Sequence, residues 1–162
     1  MLNQVKSALG GRKKGFTLIE ILVVIAIIAI LAVVVFVALN PAQRIKDSKN
    51  SRRSTDVDSI LTAVHSFVVD NKGALPSGLA NSTAETQLGT AETGAAISTG
   101  GCGVTATAAL DLSSSLGSYL KSIPVDPDGT AALTGYSIAV DANGIVTVNA
   151  CQAEDTTISA SR

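Results

Sequence analysis

The chain has 162 residues, with 12 basic and 13 acidic side chains and a formal net charge of -1. Only 15% of the residues are charged and 3% are aromatic, with no Trp, which disfavours a ligand cage built from aromatic rings. The bases cluster in residues 1–15 and 40–56, whereas ten of the thirteen acids follow residue 57. This acidic C-terminal segment disfavours a basic nucleic-acid-binding domain.

Residues 16–39 form one apolar segment in which only Thr17 and Glu20 are polar. A helix of about 20 residues covers the roughly 30 Å hydrocarbon core of a bilayer, so we predict a membrane-spanning helix here. A cleaved secretory signal peptide fits poorly, because its apolar region has roughly 7–15 residues and ends at a small-residue cleavage site. Leu39-Asn40-Pro41 offers no such site.

A basic leader, residues 1–15, precedes the apolar segment and ends in Gly15. Its bases favour a cytoplasmic N-terminus, but the bases of residues 40–56 flank the other end, so charge alone leaves the orientation open. Glu20 lies in the first turns of the predicted helix, where an acid costs a few kcal/mol unless it is paired or protonated. A functional role and a passive place at the headgroup level both remain open for it. The bases of the leader are Lys6, Arg12, Lys13 and Lys14.

The hexapeptide Gly15-Phe16-Thr17-Leu18-Ile19-Glu20 follows three consecutive bases and opens the long apolar segment. In this arrangement it resembles the class III leader of type IV pilins and pseudopilins. The resemblance implies that a prepilin peptidase cuts between Gly15 and Phe16 and then N-methylates Phe16. It also implies that Glu20 pairs with the methylated amine of a neighbouring subunit. The implied fold is α+β, with a long spine helix packed against a small antiparallel sheet in the head.

The spine helix is predicted to continue over residues 40–72, with an interruption at Asn40-Pro41 because proline removes a helix donor. Residues 42–56 are polar on every side, and we interpret them as solvated or in contact with other subunits. Contact of their bases with nucleic acid or anionic lipid is the less favoured alternative. Residues 57–72 are amphipathic, with an apolar stripe that we expect to face the head. The stripe consists of Val57, Ile60, Leu61, Val64 and Val68.

Residues 73–162 are predicted to form the head. Its first part, residues 77–118, is rich in Gly, Ala, Ser and Thr and is expected to be a variable loop. A short helix is expected within residues 106–122. Residues 119–129, with the sequence YLKSIPVDPDG, are similar to the segment that precedes the sheet in bacterial pilins.

The C-terminal part of the head has the pattern of antiparallel strands. Residues 135–140 and 145–150 are predicted strands, and residues 156–161 are a candidate third strand. Asp141-Ala142-Asn143-Gly144 lies between the first two and predicts a tight turn, because Asn-Gly accepts positive φ. Packing of these strands on the apolar stripe of the helix would supply a core for the head.

Cys102 and Cys151 are the only cysteines, and they show no metal-binding or redox spacing. Because the implied topology places the head outside the cytoplasm, we expect them to form a disulfide. Asp126 and Asp128 precede a glycine as in half of a calcium loop, but a third ligand and a terminal Glu are missing. We therefore expect no cofactor, with calcium at these two carboxylates as the alternative.

No hydrolase, zinc-protease, P-loop or dinucleotide motif occurs in the sequence, so no enzymatic activity is expected. The resemblance implies a prepilin that polymerises into a type IV pilus filament for adhesion, motility or DNA uptake. The alternatives are a pseudopilin of a type II secretion or competence system, a minor pilin at the filament tip, and a membrane-anchored binding module that never polymerises. The implied partners are like subunits, the prepilin peptidase, an assembly ATPase and an inner-membrane platform protein. The implied location is the inner membrane before assembly, and the cell surface or periplasm afterwards.

Overall fold

A computed structural model describes residues 15–162 of the chain, so the leader residues 1–14 lie outside the described part. The chain divides after Pro41, and Ala42–Arg162 forms the second compact unit. The predicted α+β fold, a long helical segment followed by a small antiparallel sheet, is confirmed. The elements are α1 (Leu18–Leu39), α2 (Pro41–Asp70), β1 (Thr86–Gln87), α3 (Ser113–Leu116), β2 (Tyr136–Val140), β3 (Val146–Ala150) and β4 (Ser159–Ser161).

The helical segment is interrupted where the sequence predicted it. Helix α1 ends at Leu39, and Asn40 adopts the left-handed region with φ 41°. Asparagine tolerates this conformation at a helix C-terminus better than most residues do. Helix α2 begins at Pro41, the position at which a missing N–H costs no helical hydrogen bond. The pair Asn40-Pro41 therefore ends one helix and starts the next.

Helix α2 supplies one side of the head's core. Its apolar stripe is buried as predicted, except that Val68 is only half-buried. The helix ends at Asp70, two residues before the predicted end, because Lys72 and Gly73 both have positive φ. Against the stripe lies a cluster of buried strand residues, which are Tyr136, Ile138, Val140, Val146, Val148 and Ala150.

The sheet has four antiparallel strands in the order β1-β2-β3-β4. Strands β2 and β3 pair along their whole length, from Tyr136 opposite Ala150 to Val140 opposite Val146. Both predicted strands are thus confirmed to within one residue, whereas the candidate third strand is shorter than predicted and starts at Ser159. In the turn between β2 and β3, Gly144 has positive φ and Asn143 does not.

The predicted loop over residues 77–118 is more ordered than its composition suggested. It contains β1, which pairs with β2, and a bridge between Leu88 and Leu110. Its leucines at positions 88, 112 and 116 are fully buried in the core of the head. Helix α3 covers only four residues of the predicted 106–122 region, where serines and Gly117 are poor helix formers.

Candidate leader-processing and assembly site

The start of α1 presents the residues that the sequence analysis assigned to processing and assembly. Gly15 is exposed, and 78% of Phe16 is accessible. Thr17 is the N-cap of α1, and its Oγ1 accepts a hydrogen bond from the backbone N–H of Glu20 at 3.3 Å. In return, the backbone N–H of Thr17 donates to Glu20 Oε2 at 3.5 Å. This capping box fixes the first turn and places the Glu20 carboxylate beside the backbone N–H of Thr17.

Helix α1 exposes its entire apolar surface. None of its 22 residues is buried. An 18-residue window of the helical segment has a mean hydropathy of 3.6, and among the described residues this is the one stretch long and apolar enough to span a membrane. Apolar area of this extent is unfavourable in water. The helix therefore needs lipid or other apolar helices around it.

Bases in the first half of α2 form ion pairs with acids of the same chain. Lys46 Nζ lies 2.9 Å from Asp155 Oδ2, and Lys49 Nζ lies 2.7 Å from Asp128 Oδ1. Arg53 is fully buried. Most of residues 42–56 are exposed, as expected for a solvated surface, but three of their five bases form ion pairs with acids of the head.

Arg53 forms hydrogen bonds with the two carboxylates that were the sequence-based candidates for calcium ligands. Its Nε donates to Asp126 Oδ2 at 2.6 Å, and its Nη2 donates to Asp126 Oδ1 at 3.0 Å and to Asp128 Oδ2 at 2.9 Å. Lys49 binds both oxygens of Asp128 and lowers the pKa of that carboxyl, with a further contribution from Arg53. Calcium takes six to eight oxygen ligands, and here it would have to displace the cations that contact both carboxylates. In this arrangement the carboxylates of Asp126 and Asp128 are already paired with Arg53 and Lys49.

Cys102 and Cys151 form a disulfide, and Cys151 directly follows β3. Near this disulfide, the Glu85 carboxylate accepts hydrogen bonds from three donors. Its Oε1 accepts from Ser137 Oγ at 2.5 Å and from Asn149 Nδ2 at 2.8 Å, and its Oε2 accepts from the backbone N–H of Gly103 at 2.7 Å. The disulfide and this carboxylate together attach the loop around Cys102 to strands β2 and β3.

Sequence reasoning missed two structural contributions. Arg53 looked like one of several bases on a polar helix, although it lies four residues before Val57 and so continues the buried stripe by one turn. That spacing was a usable signal. Glu85 lies in a segment without periodicity, and its partners come from distant parts of the chain, so no local pattern pointed to it.

Comparison with known families gives one match. The prokaryotic N-terminal methylation motif matches residues 10–36, which include the exposed Gly15 and Phe16, Glu20 and most of α1. No curated protein and no solved structure matches the chain. The matched motif includes most of the helix suited to a membrane anchor, and the rest of the pilin-like α+β fold follows it. Residues 10–36 carry the prokaryotic N-terminal methylation motif, and this match supports the resemblance of the segment to the class III leader of type IV pilins and pseudopilins.

Proposed function

We propose that the chain is a structural, non-enzymatic prepilin that is cleaved after Gly15, N-methylated at Phe16 and polymerised into a type IV pilus filament. The observation that carries this proposal is the methylation motif placed directly on α1, a helix with no buried residue. Cleavage would free the amine of Phe16, which precedes the N-cap Thr17 and lies four positions before Glu20 in the chain. Like subunits would then surround α1 and replace the lipid.

The energetics of that transfer support a specific role for Glu20. Moving an apolar helix from lipid into a bundle of similar helices gains little hydrophobic energy, so packing and polar pairs must select the arrangement. A carboxylate and an amine are each costly in an apolar filament core, and each offsets the cost of the other when they pair. The capping box supports the helix around Glu20 but leaves this side chain exposed to a neighbour.

The proposed partners are the prepilin peptidase, which also methylates, an assembly ATPase and an inner-membrane platform protein. The proposed topology has the leader in the cytoplasm and the head outside it. A disulfide between Cys102 and Cys151 supports a head outside the cytoplasm, because disulfides persist in oxidising compartments.

The test is mass spectrometry of the chain in a sheared cell-surface fraction and in the membrane pellet. An abundant surface chain that starts at methylated Phe16 is the expected result. A processed chain confined to the pellet would instead favour a pseudopilin or a minor subunit, and a chain that still starts at Met1 would contradict the proposal. Gly15→Val should block cleavage, whereas Gly11→Val, the same change elsewhere in the leader, should leave it intact.

A further inference from the structure

The turn between β2 and β3 contains an Asn-Gly pair that lies outside the proposed processing and assembly site. Asn143 is exposed and Gly144 is half-exposed, with φ +84°. Asparagine is among the thermolabile residues of proteins. A following glycine favours its breakdown, because a residue without Cβ lets the next backbone nitrogen reach the asparagine side chain. The pair therefore has the chemistry of a self-modification site.

The hydrogen bonds of this pair converge on Asp141. Its Oδ1 accepts from the backbone N–H groups of Asn143 and Ile145, each at 2.8 Å. Its Oδ2 accepts from Asn143 Nδ2 at 3.2 Å, and its backbone oxygen accepts from the N–H of Gly144 at 3.2 Å. One residue thus holds the side-chain amide that would leave and the backbone nitrogen that would attack.

We propose that Asn143 is a slow deamidation site in the folded head and that Asp141 sets its rate. The Gly144 nitrogen loses its proton and bonds to Cγ of Asn143, the bond from Cγ to Nδ2 breaks, and ammonia leaves. Water then opens the resulting five-membered imide at either carbonyl, which gives an aspartate or an isoaspartate. The balance is one water consumed and one ammonia released, with no oxidant or reductant.

Asp141 slows this reaction through charge and through position. Attack requires negative charge to develop on the Gly144 nitrogen, and a nearby carboxylate disfavours that charge. The hydrogen bond to the Asp141 backbone oxygen retains the Gly144 proton, and the bond to Asn143 Nδ2 restrains the side chain. Hydrogen bonds from Ile145 and then Asn143 and Gly144 lower the pKa of Asp141, which keeps the carboxylate charged at neutral pH. Asp141 is therefore a positioning residue.

The product would alter the end of the hairpin. An isoaspartate adds a backbone atom between Val140 and Val146, which are paired strand residues. The new carboxylate would also face that of Asp141, in place of the amide that donates to it now. The same turn holds a neighbouring loop, since Ser82 N–H donates to the Asp141 backbone oxygen at 3.1 Å. Deamidation should thus loosen both the hairpin and this loop contact.

The test incubates the full chain in detergent, with its disulfide intact, at physiological temperature and mildly alkaline pH. Peptide mapping follows ammonia loss and isoaspartate at position 143 in wild type, Asp141→Asn, Asp141→Ala and Asn143→Ser. Asp141→Asn keeps an acceptor for the turn but removes the charge. It should convert about tenfold faster than wild type, because hydrogen bonds to a neutral acceptor stabilise the turn less than hydrogen bonds to a charged one. Asp141→Ala should be at least as fast, and Asn143→Ser should show no conversion.

Wild type unfolded in denaturant provides the reference rate. Slower conversion of the folded chain, with isoaspartate formed at position 143, is the expected result. If folded wild type shows no conversion over a period in which the unfolded chain converts completely, Asn143 is not a site in the head. Equal rates in wild type and Asp141→Asn would overturn the role of Asp141. Neither outcome depends on whether the chain forms filaments.

Discussion

Arg53 and Asp126 form an ion pair in which both side chains are completely buried. Both oxygens of Asp126 accept from the guanidinium, so the pair is bidentate and joins α2 to the loop before β2. Removing two charges from water is expensive, and a buried pair is favourable only when its geometry and additional hydrogen bonds are good. Here Asn50 Oδ1 accepts from Arg53 Nη1 at 2.9 Å, and the backbone N–H of Asp128 donates to Asp126 Oδ1 at 2.9 Å. The pair therefore defines where this part of α2 meets the head.

Removing one member of this pair should destabilise the head strongly. Arg53→Met leaves the Asp126 carboxylate buried without its partner, at a cost of about 3–5 kcal/mol. Asp126→Asn should also lower the free energy of unfolding, because it leaves the buried guanidinium charge uncompensated. Urea unfolding of the full chain in detergent, followed by tyrosine fluorescence, measures both changes.

Arg44→Met is the matched control, because Arg44 is an exposed base on the same helix. It should change the free energy of unfolding by less than about 0.5 kcal/mol. The double variant Arg53→Met with Asp126→Leu should recover much of the loss, since an apolar pair buries no charge. If the loss of unfolding free energy in the double variant equals the sum of the losses in the single variants, the two residues do not act as a pair.

The pattern of the sequence specified the spine and the central hairpin well. Val57, Ile60, Leu61 and Val64 recur at helical spacing, and the burial of all four follows from that spacing alone. Strands β2 and β3 have β-branched residues on either side of a turn sequence, so their pairing is also a local property. In such segments the local preference and the tertiary structure agree.

The remaining features depend on partners that are distant in sequence. Strand β1 has only two residues, and it exists because Thr86 and Gln87 pair with β2 about fifty positions later. Arg53 is a buried side chain only because Asp126 approaches it from a loop 73 positions away. Neither propensity nor periodicity carries that information. The composition of residues 77–118 therefore predicted a loop where part of the core is found.

The surface ion pairs predict a stability profile that falls at both ends of the pH range. Lys49, and then Arg53, hold the pKa of Asp128 below its ordinary value of 3.8. A lowered pKa in the folded state contributes stability above the unfolded value, and this stability is lost as pH falls through the folded value. Asp155, and then Glu154, raise the pKa of Lys46 above 10.5. That contribution is present below 10.5 and is lost as pH rises through the folded value.

Chemical unfolding of the full chain across pH checks this profile. We expect a plateau from about pH 5 to pH 9 and modest losses outside it, because exposed ion pairs contribute little. Asp128→Asn should reduce the loss of stability at acid pH, and Lys46→Met should reduce the loss of stability at alkaline pH. If Asp128→Asn loses as much stability at acid pH as wild type does, Asp128 is not the source of that loss.

The disulfide should account for a large share of the head's stability. Cys102 and Cys151 are 49 positions apart, and closing a loop of that length contributes about 4 kcal/mol in the chain-entropy model. The double variant Cys102→Ser, Cys151→Ser should lower the free energy of unfolding by about this amount. Reductant should destabilise wild type in the same way but leave the double variant unchanged. Equal stability of wild type with and without reductant would contradict the prediction.

Calcium should not stabilise the head. The oxygens of Asp126 and Asp128 accept hydrogen bonds from Arg53 and Lys49, so an ion would have to displace two cations. Thermal unfolding of the full chain should give the same midpoint with calcium and with a chelator. A saturable rise in the midpoint with calcium that Asp128→Asn removes would show a site that the present side-chain arrangement does not provide.

Filament assembly should require the charge of Glu20 more than its hydrogen bond to the helix. Glu20→Gln keeps an oxygen that can accept from the backbone N–H of Thr17, but it removes the charge needed to pair with the amine of Phe16. Thr17→Val does the reverse, because it removes the capping oxygen and keeps the carboxylate. We expect Glu20→Gln to be processed and stable in the membrane but absent from the sheared surface fraction, whereas Thr17→Val should still assemble. The opposite result, with filaments from Glu20→Gln and none from Thr17→Val, would assign the role of Glu20 to the capping box rather than to a contact between subunits.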